Sequence, residues 1–399
     1  MNNPTQLVET LRQAAADMGF SQFGITPAVS LSGYSDLVAW IHSGYAGEMG
    51  YFSQRQQAYQ HPDGVLEGAK SIIALAYPYD TAQAAPCSNG LGRIAKYVWS
   101  GVDYHDIIHP KLKQLCKLIT HESPTSKARG VVDTAPLMER EIAKQAGLGW
   151  QGKNTLLLNK HKGSYFFLAC VLCNTDLPHN NSHDATHCGT CRACLDACPT
   201  DAFPTPGVLD ASRCISYLTI EHRSPIPVEL REGIGNWLYG CDVCQEVCPW
   251  NRKPTRDASH ITPNNQPQAS VDQQSAELEP TELEPESQRF EHIELTALFK
   301  INDEQFRQRF RKTPLWRARR RGVLRNAAIV LGNQMQTDSI PALTRGLVDT
   351  EPLVRGASAW ALGKIGGAAA TLALEMQLKR EHDPVVTSEL DDALSILKR

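Results

Sequence analysis

Eight of the twelve cysteines fall between Cys188 and Cys248 at spacings that suit metal ligation. Cys188-x2-Cys191-x2-Cys194-x3-Cys198-Pro199 is the run in which three close thiolates grip one [4Fe-4S] cube while the fourth reaches to another. A second set, Cys241-x2-Cys244-x3-Cys248-Pro249, lacks one ligand of its own, and Cys214 lies between the two runs and can supply it. Exchange of the fourth ligand then predicts one cube on Cys188, Cys191, Cys194 and Cys248, and a second on Cys198, Cys214, Cys241 and Cys244. Soft sulfur prefers iron-sulfur or zinc centres to hard cations. A pair of four-cysteine zinc sites is the alternative, but such sites usually show separated Cys-x2-Cys knuckles rather than a run ending in Cys-Pro. Cys170 and Cys173, in or beside an apolar run, and the isolated Cys87 and Cys116 read as buried or bystander thiols. Two cubes in tandem form a relay for single electrons, and a relay needs an acceptor.

The residues before Cys188 must hold that acceptor. In Gly130-Val131-Val132-Asp133-Thr134-Ala135-Pro136 an apolar strand ends at Asp133 and a helix is expected to begin, with Thr134 as N-cap, Pro136 in its first turn and Gly147 as its stop. A carboxyl at the end of a buried strand could transfer a proton if burial raises its pKa. The plainer reading is a capping or salt-bridging aspartate, with Arg140 as a partner. Gly147 to Asn154 falls one residue short of a P-loop, and Asn154 lacks the hydroxyl that would hold magnesium. The glycines and Lys153 could still cradle another partly anionic ligand through backbone N–H groups.

Stepping outward, 399 residues at 42% hydrophobic composition are enough for two or three cores. Residues 1–180 alternate helical patterns with short β-branched runs, as in an α/β or α+β domain; 181–252 form the cysteine domain; 253–289, rich in Pro, Gln, Ser, Glu and Asp, read as a flexible polar linker; and 290–399 are helical. There Val323–Gly332 matches Val354–Gly363 at an offset of 31, and a fainter copy runs from Asp383, the pattern of stacked helical repeats. The net charge of −3 says nothing about nucleic acid, but Gln305–Thr337 holds nine Lys or Arg residues and no acid. This run, which includes Arg317, Arg319, Arg320, Arg321 and Arg325 with Trp316 and Phe310 interleaved, suits phosphate contacts and stacking on an unpaired base. A solvated helical face or an acidic protein partner is the bland alternative. The stretch at Met1 has no export pattern and the longest apolar run is too short to span a bilayer, so a cytoplasmic protein is expected.

The chain resembles the epoxyqueuosine reductases, enzymes of queuosine formation in tRNA, over nearly its whole length. The resemblance lies in Tyr45-Ala-Gly-Glu-Met49, Gly68-Ala-Lys-Ser-Ile72, Asp103-Tyr104-His105, Val132-Asp-Thr-Ala-Pro136, Ala146-Gly-Leu-Gly-Trp150, Gly152-Lys-Asn-Thr155, Cys214-Ile-Ser-Tyr-Leu-Thr-Ile-Glu221 and Gly240-Cys-Asp-Val-Cys-Gln-Glu-Val-Cys-Pro-Trp-Asn251. It implies an α+β multidomain chain: an α/β cobalamin-binding domain related to reductive dehalogenases, a ferredoxin-like domain with two [4Fe-4S] clusters, and a HEAT-like α-solenoid that grips tRNA. It implies that electrons pass through the clusters to cobalamin and that Asp133 is the proton donor. It places Lys96, Tyr97, His105, Lys153, Ser164, Ser216 and Tyr217 around the corrin or its nucleotide tail, and the basic run against the anticodon stem-loop. Lys96 stands where the family commonly has arginine, and Val102 where it is often basic. No histidine occupies the Asp-x-His-x-x-Gly pattern that supplies a lower cobalt ligand elsewhere, so the nucleotide base is expected off the cobalt with no histidine replacing it. A flavodoxin or ferredoxin system is the expected electron donor, and a monomer the expected state. The competing readings are an RNA-binding protein with structural clusters, and a dehalogenase-like enzyme on a small molecule, which would not need the basic run.

Overall fold

A computed structural model of the chain describes residues 4–79, 82–122, 125–252 and 290–398. The expected linker at 253–289 lies outside them. Among the described residues no helix is long and apolar enough to cross a membrane.

The N-terminal sheet has the order β1-β2-β7-β4, where β1 is Gln22–Pro27, β2 Ser71–Pro78, β4 Ala128–Val131 and β7 Phe166–Cys173. Every neighbouring pair is antiparallel. Helices cover both faces, which explains why β2 reads as an unbroken apolar run instead of an alternating one. Side chains alternate across a strand: Ile73 and Leu75 pack with helices Pro4–Asp17 and Tyr104–Glu122 through Leu11, Leu112 and Leu115. Ile72, Ala74 and Ala76 pack on the other side with Ile142 and Ala143 of helix Glu139–Gln145. The layering is that of an α/β domain, but the strand directions are those of an α+β one.

A second sheet, β8-β3-β9, binds the chain's segments together. Its central strand β3 (Leu91–Ile94) comes from the N-terminal part, β8 (Trp237–Tyr239) follows the first cysteine run, and β9 (His292–Glu294) precedes the repeats. One hydrophobic core continues from Trp99, Ile215, Leu218 and Leu238 into Leu324, Leu331, Trp360 and Leu390 of the C-terminal helices. The matched repeats form helices Arg319–Gln334 and Pro352–Ile365, and the fainter copy forms Pro384–Leu397. Gly332 and Gly363 sit at the crossings: a Cβ at Gly332 would meet Trp360 and Ala361, and one at Gly363 would meet Ala393.

Two arginines of the basic run serve this junction instead of the surface. Arg325 is 1% exposed. Its guanidinium donates to the carbonyls of Leu218, His222 and Ser224 and to Asn326 Oδ1, while Asn326 donates to the carbonyls of Thr219 and Leu238. Burial, with Arg223 nearby, pushes its pKa down to about 9, which still leaves it charged at neutral pH. Arg320 is nearly enclosed, paired with Asp349 and donating to the carbonyl of Ile301. The expectation that Arg320 and Arg325 contact tRNA is corrected accordingly: both guanidiniums already have protein partners. Replacing Arg325 by leucine leaves three carbonyls without that donor, so urea denaturation should show a loss of about 3 kcal/mol or more, at roughly 1–3 kcal/mol per unpaired buried group. Arg321→Ala, at an exposed position, should stay within about 0.5 kcal/mol. Equal small losses in both would refute the assignment.

Candidate functional site

The two cysteine runs adopt matching local structure. Each Cys-x2-Cys leads into a short helix, Ala193–Asp196 or Val243–Glu246, and then into Cys-Pro. The runs lie across one another, so their cysteines mix. Cys248 feels the charge of Cys188 and Cys191, and Cys194 that of Cys248, Cys188 and Cys191. Cys214 lies beside Cys198; Cys241 beside Cys214 and Cys244; and Cys244 beside Cys214, with Cys194 and Cys198 further off. Two sets of four thiols result, each closed by one sulfur from the other run. All twelve cysteines are free thiols.

The sets differ in depth. Cys191 is exposed and Cys188 and Cys194 are half-buried. Cys214, Cys241 and Cys244 are enclosed by protein, and burial pushes their thiols up, yet each keeps accessible surface turned to an internal space. No group of three or more His, Cys, Asp or Glu side chains among the described residues is gathered tightly enough for a single metal ion. A cube with one ligand on each iron keeps its thiolates further apart than one ion would. The thiol sets fit cubes on that ground, and metal coordination would reverse the effect of burial by holding the sulfurs deprotonated.

A second recess adjoins the deeper set. Gly240, in the left-handed region at φ 69°, brings the chain before Cys241 against Ala95 and Tyr97. The Lys96 N–H donates to Asp242 Oδ2 at 2.7 Å. Tyr97 packs edge-on against Tyr104 and Phe167, and Tyr104 is stacked between His105 and Phe167 with centroids 4.2 and 4.3 Å away. The Tyr104 hydroxyl donates to Asp133 Oδ2 at 2.7 Å. Asp133 has φ 57°, a left-handed conformation that costs a non-glycine residue on the order of 1 kcal/mol or more. Two bonds hold it there: Tyr104 on the carboxylate, and the Asp133 N–H donating to Glu139 Oε1 at 3.0 Å.

The loop corrects two expectations. Thr134 does not cap a helix; its N–H closes a tight turn on the carbonyl of Val132, and the helix starts at Glu139, beyond Pro136. Asp133 is exposed at the end of its strand. The carboxyl that burial, with the charge of Asp133, pushes up to about 8 is Glu139. Arg140 does not bond to Asp133 but donates to the Thr155 carbonyl at 2.7 Å. Glu139 and Tyr97 are deep in the protein yet keep accessible surface, the condition of side chains lining an internal recess, and Arg140 beside Glu139 is exposed. Tyr51 and Tyr59, with Glu221 and Arg317, lie within electrostatic reach of Asp133 or of each other.

Of the seven residues expected around a corrinoid, Tyr97 and His105 join this recess. Burial works against a charge on His105, but its Nδ1, 2.8 Å from Asp103 Oδ1, holds its pKa above the usual imidazole value. Its buried Nε2 has no protein partner. Aromatic walls, carboxyls and that orphaned nitrogen fit a large ligand with polar edges. Lys96, Lys153 and Ser164 are engaged elsewhere: the Lys96 ammonium donates to the carbonyl of Ala82, Lys153 to the carbonyls of Gly189 and Cys191, and Ser164 bonds Gln245 and Asn251. Lys153 thus braces the first thiol run. Ser216 is half-buried, and the Tyr217 hydroxyl accepts from the Glu48 N–H against Gly47. Of the basic run, Arg317, Arg319 and Arg321 are exposed; Arg319 lies over the Trp316 ring at 4.0 Å and Arg317 pairs with Glu221. Sequence reasoning missed Tyr104 and Glu139 as site residues, although both lie in or beside the motifs it quoted.

The crossed arrangement predicts which cysteines act together. Cys248→Ser and Cys188→Ser should remove the same half of the iron and the same electron-paramagnetic signal, while Cys198→Ser and Cys214→Ser remove the other. If Cys248→Ser matches Cys241→Ser instead, each run keeps its own cube and the crossing is wrong.

Comparison with known proteins agrees with this architecture. Residues 187–251 match a 4Fe-4S double cluster binding domain, residues 60–134 the family described as Epoxyqueuosine reductase QueG, DUF1730, and residues 315–395 HEAT repeats. Epoxyqueuosine reductase of Pseudomonas aeruginosa is 39% identical over 374 residues, covering 91% of this chain and 96% of the relative. That of Escherichia coli is 33% identical, covering 94% of each. A crystal structure of epoxyqueuosine reductase with a tRNA-Tyr epoxyqueuosine-modified stem loop superposes with a TM-score of 0.87 at 31% identity, over the full length of both chains. The chain belongs to the epoxyqueuosine reductase family of oxidoreductases.

Proposed function

We propose that this protein reduces epoxyqueuosine to queuosine in the anticodon loop of tRNA, by two-electron removal of the epoxide oxygen, working as a cytoplasmic monomer. One observation carries the mechanism: an acid, Asp133, is held in a left-handed turn by Tyr104, whose ring packs on Tyr97, and Tyr97 lies against Gly240, the residue before Cys241. Cys188, Cys191, Cys194 and Cys248 would hold the cube on the exposed side, nearer an external one-electron carrier of the flavodoxin or ferredoxin kind, and Cys198, Cys214, Cys241 and Cys244 would hold the inner one, the pair supplying single-electron transfer. Tyr97 and His105 would border cobalamin, which would supply a low-potential metal for carbon–oxygen cleavage. Asp133 gives a proton to the departing oxygen, Tyr104 keeps its carboxyl aimed, and the aromatic walls limit the access of water.

The substrate reading has support in the stem loop bound to the structural neighbour. Here Arg317, Arg319 and Arg321 offer guanidiniums to the phosphate backbone, with Trp316 available for stacking. Arg321 and Arg223 also border a cavity of about 320 Å³ between the cysteine segment and the repeats, so the basic surface continues inward towards Glu221 and Arg317. In this reading residues 1–180 carry the cofactor recess, 181–252 the cubes and 290–399 the tRNA grip, with 253–289 as linker.

Asp133→Asn should lower single-turnover deoxygenation by about 10²–10⁴-fold with tRNA affinity kept, the usual worth of a general acid. Tyr104→Phe should cost about tenfold by freeing the carboxyl. Wild-type turnover by Asp133→Asn would remove the assignment. Arg319→Ala and Arg321→Ala should each weaken tRNA binding and reduce the slope of log affinity against log salt by about 1. A slope left unchanged by both would place the phosphate contacts elsewhere.

A further inference from the structure

We propose that Glu139 acts through Asp133 as a positioning and proton-supplying residue, loading that acid with the protons the reaction consumes. The proposal rests on the reading of the site given above. Removing an epoxide oxygen breaks both of its carbon–oxygen bonds, forms one carbon–carbon double bond and releases water. Two electrons come from the external one-electron carrier, and two protons must reach the oxygen. The proton stored on Glu139 passes to Asp133 and from there to the oxygen as one carbon–oxygen bond breaks. Solvent reloads Glu139, and a second proton follows the same route as the second bond breaks and water leaves.

The geometry suits this sequence. Glu139 Oε1 accepts the Asp133 N–H at 3.0 Å, so one residue's backbone amide brings the two carboxyls together, and the other Glu139 oxygen can carry the proton. Glu139 keeps accessible surface towards the recess. The titratable groups around it are Asp133 from the loop, Arg140 from its own helix, Tyr59 from the turn at Gln56–Tyr59, and Cys170 from β7. The Asp133 N–H and Arg140 favour ionisation, but burial and the charge of Asp133 outweigh them and push Glu139 up to about 8. A carboxyl with that pKa stores a proton at neutral pH, which an exposed one does not.

Glu139→Gln keeps an oxygen for the Asp133 N–H and loses the stored proton; Glu139→Ala loses both. With reconstituted enzyme and epoxyqueuosine-bearing tRNA, Glu139→Gln should slow single turnover by about 100-fold. It should also abolish the fall in wild-type rate as pH rises through about 8, with tRNA affinity and the visible spectrum retained. Rescue by glutamine of what alanine loses, with the alkaline limb unmoved, would reduce Glu139 to a loop anchor and overturn the proposal. A readout without turnover is the infrared band of a protonated carboxyl in cofactor-free protein. It should titrate away near pH 8 in the wild type and in Asp133→Asn at a shifted pH, and be missing in Glu139→Gln; a wild type without it overturns the proposal. Full activity of Asp133→Asn would sink the site reading itself, whereas an inactive Asp133→Asn beside an unchanged Glu139→Gln sinks the proton supply alone.

Discussion

The crossing of the two cysteine runs is the constraint from which the rest of the structure follows. Each four-thiol set takes one sulfur from the other run, so neither set is complete until Cys188–Cys198 and Cys241–Cys248 have closed on one another with Cys214 between them. That closure fixes β8 just before Cys241, and β8 pairs with β3, which runs on into Lys96 and Tyr97. Tyr97 therefore lies against Gly240, one residue before Cys241, and Tyr104 packed on Tyr97 reaches Asp133. An electron relay benefits from that proximity without requiring any loop to move.

The same closure explains why the repeats do not hang from the molecule as a separate arm. The segment Leu218–Ser224, which follows Cys214, offers its carbonyls to Arg325, and β9 adds the third strand to the shared sheet. A buried guanidinium is expensive to desolvate, and here its cost is offset by carbonyls that would otherwise lack donors. Removing the arginine therefore damages two segments together. The exposed arginines nearby, Arg319 and Arg321, carry no such structural duty and are the ones left for a polyanion.

What the sequence revealed is what depends on local spacing. Cysteine intervals are read along the chain, and the segment that holds them matches a 4Fe-4S double cluster binding domain. The repeat of Val323–Gly332 in Val354–Gly363 likewise fixes two helix faces that must pack, with glycines where the backbones approach. What depends on long-range packing stayed hidden. Nine basic residues in a row look alike until Asp349 is brought to Arg320 and Leu218 to Arg325. A threonine before proline looks like a helix cap until Asp133 turns left-handed and the helix begins later. The carbonyl partners of Lys96 and Lys153, at Ala82, Gly189 and Cys191, likewise come from packing that spacing does not reveal.

The division of labour between two carboxyls at the recess follows from their surroundings. Asp133 is exposed and accepts from Tyr104; Glu139 is enclosed and faces Asp133 at close range. Burial, and after it the charge of Asp133, raise the proton affinity of Glu139, and they outweigh the Asp133 N–H and Arg140, which favour its ionisation. The loop thus places an exposed carboxyl beside one that holds a proton. Straightening the loop would cost the site its aimed acid and the paired reservoir at once. One hydrogen bond, from the Asp133 amide to the Glu139 carboxyl, holds the left-handed turn and ties it to the buried carboxyl, while burial and the charge of Asp133 raise the proton affinity of Glu139 against that bond.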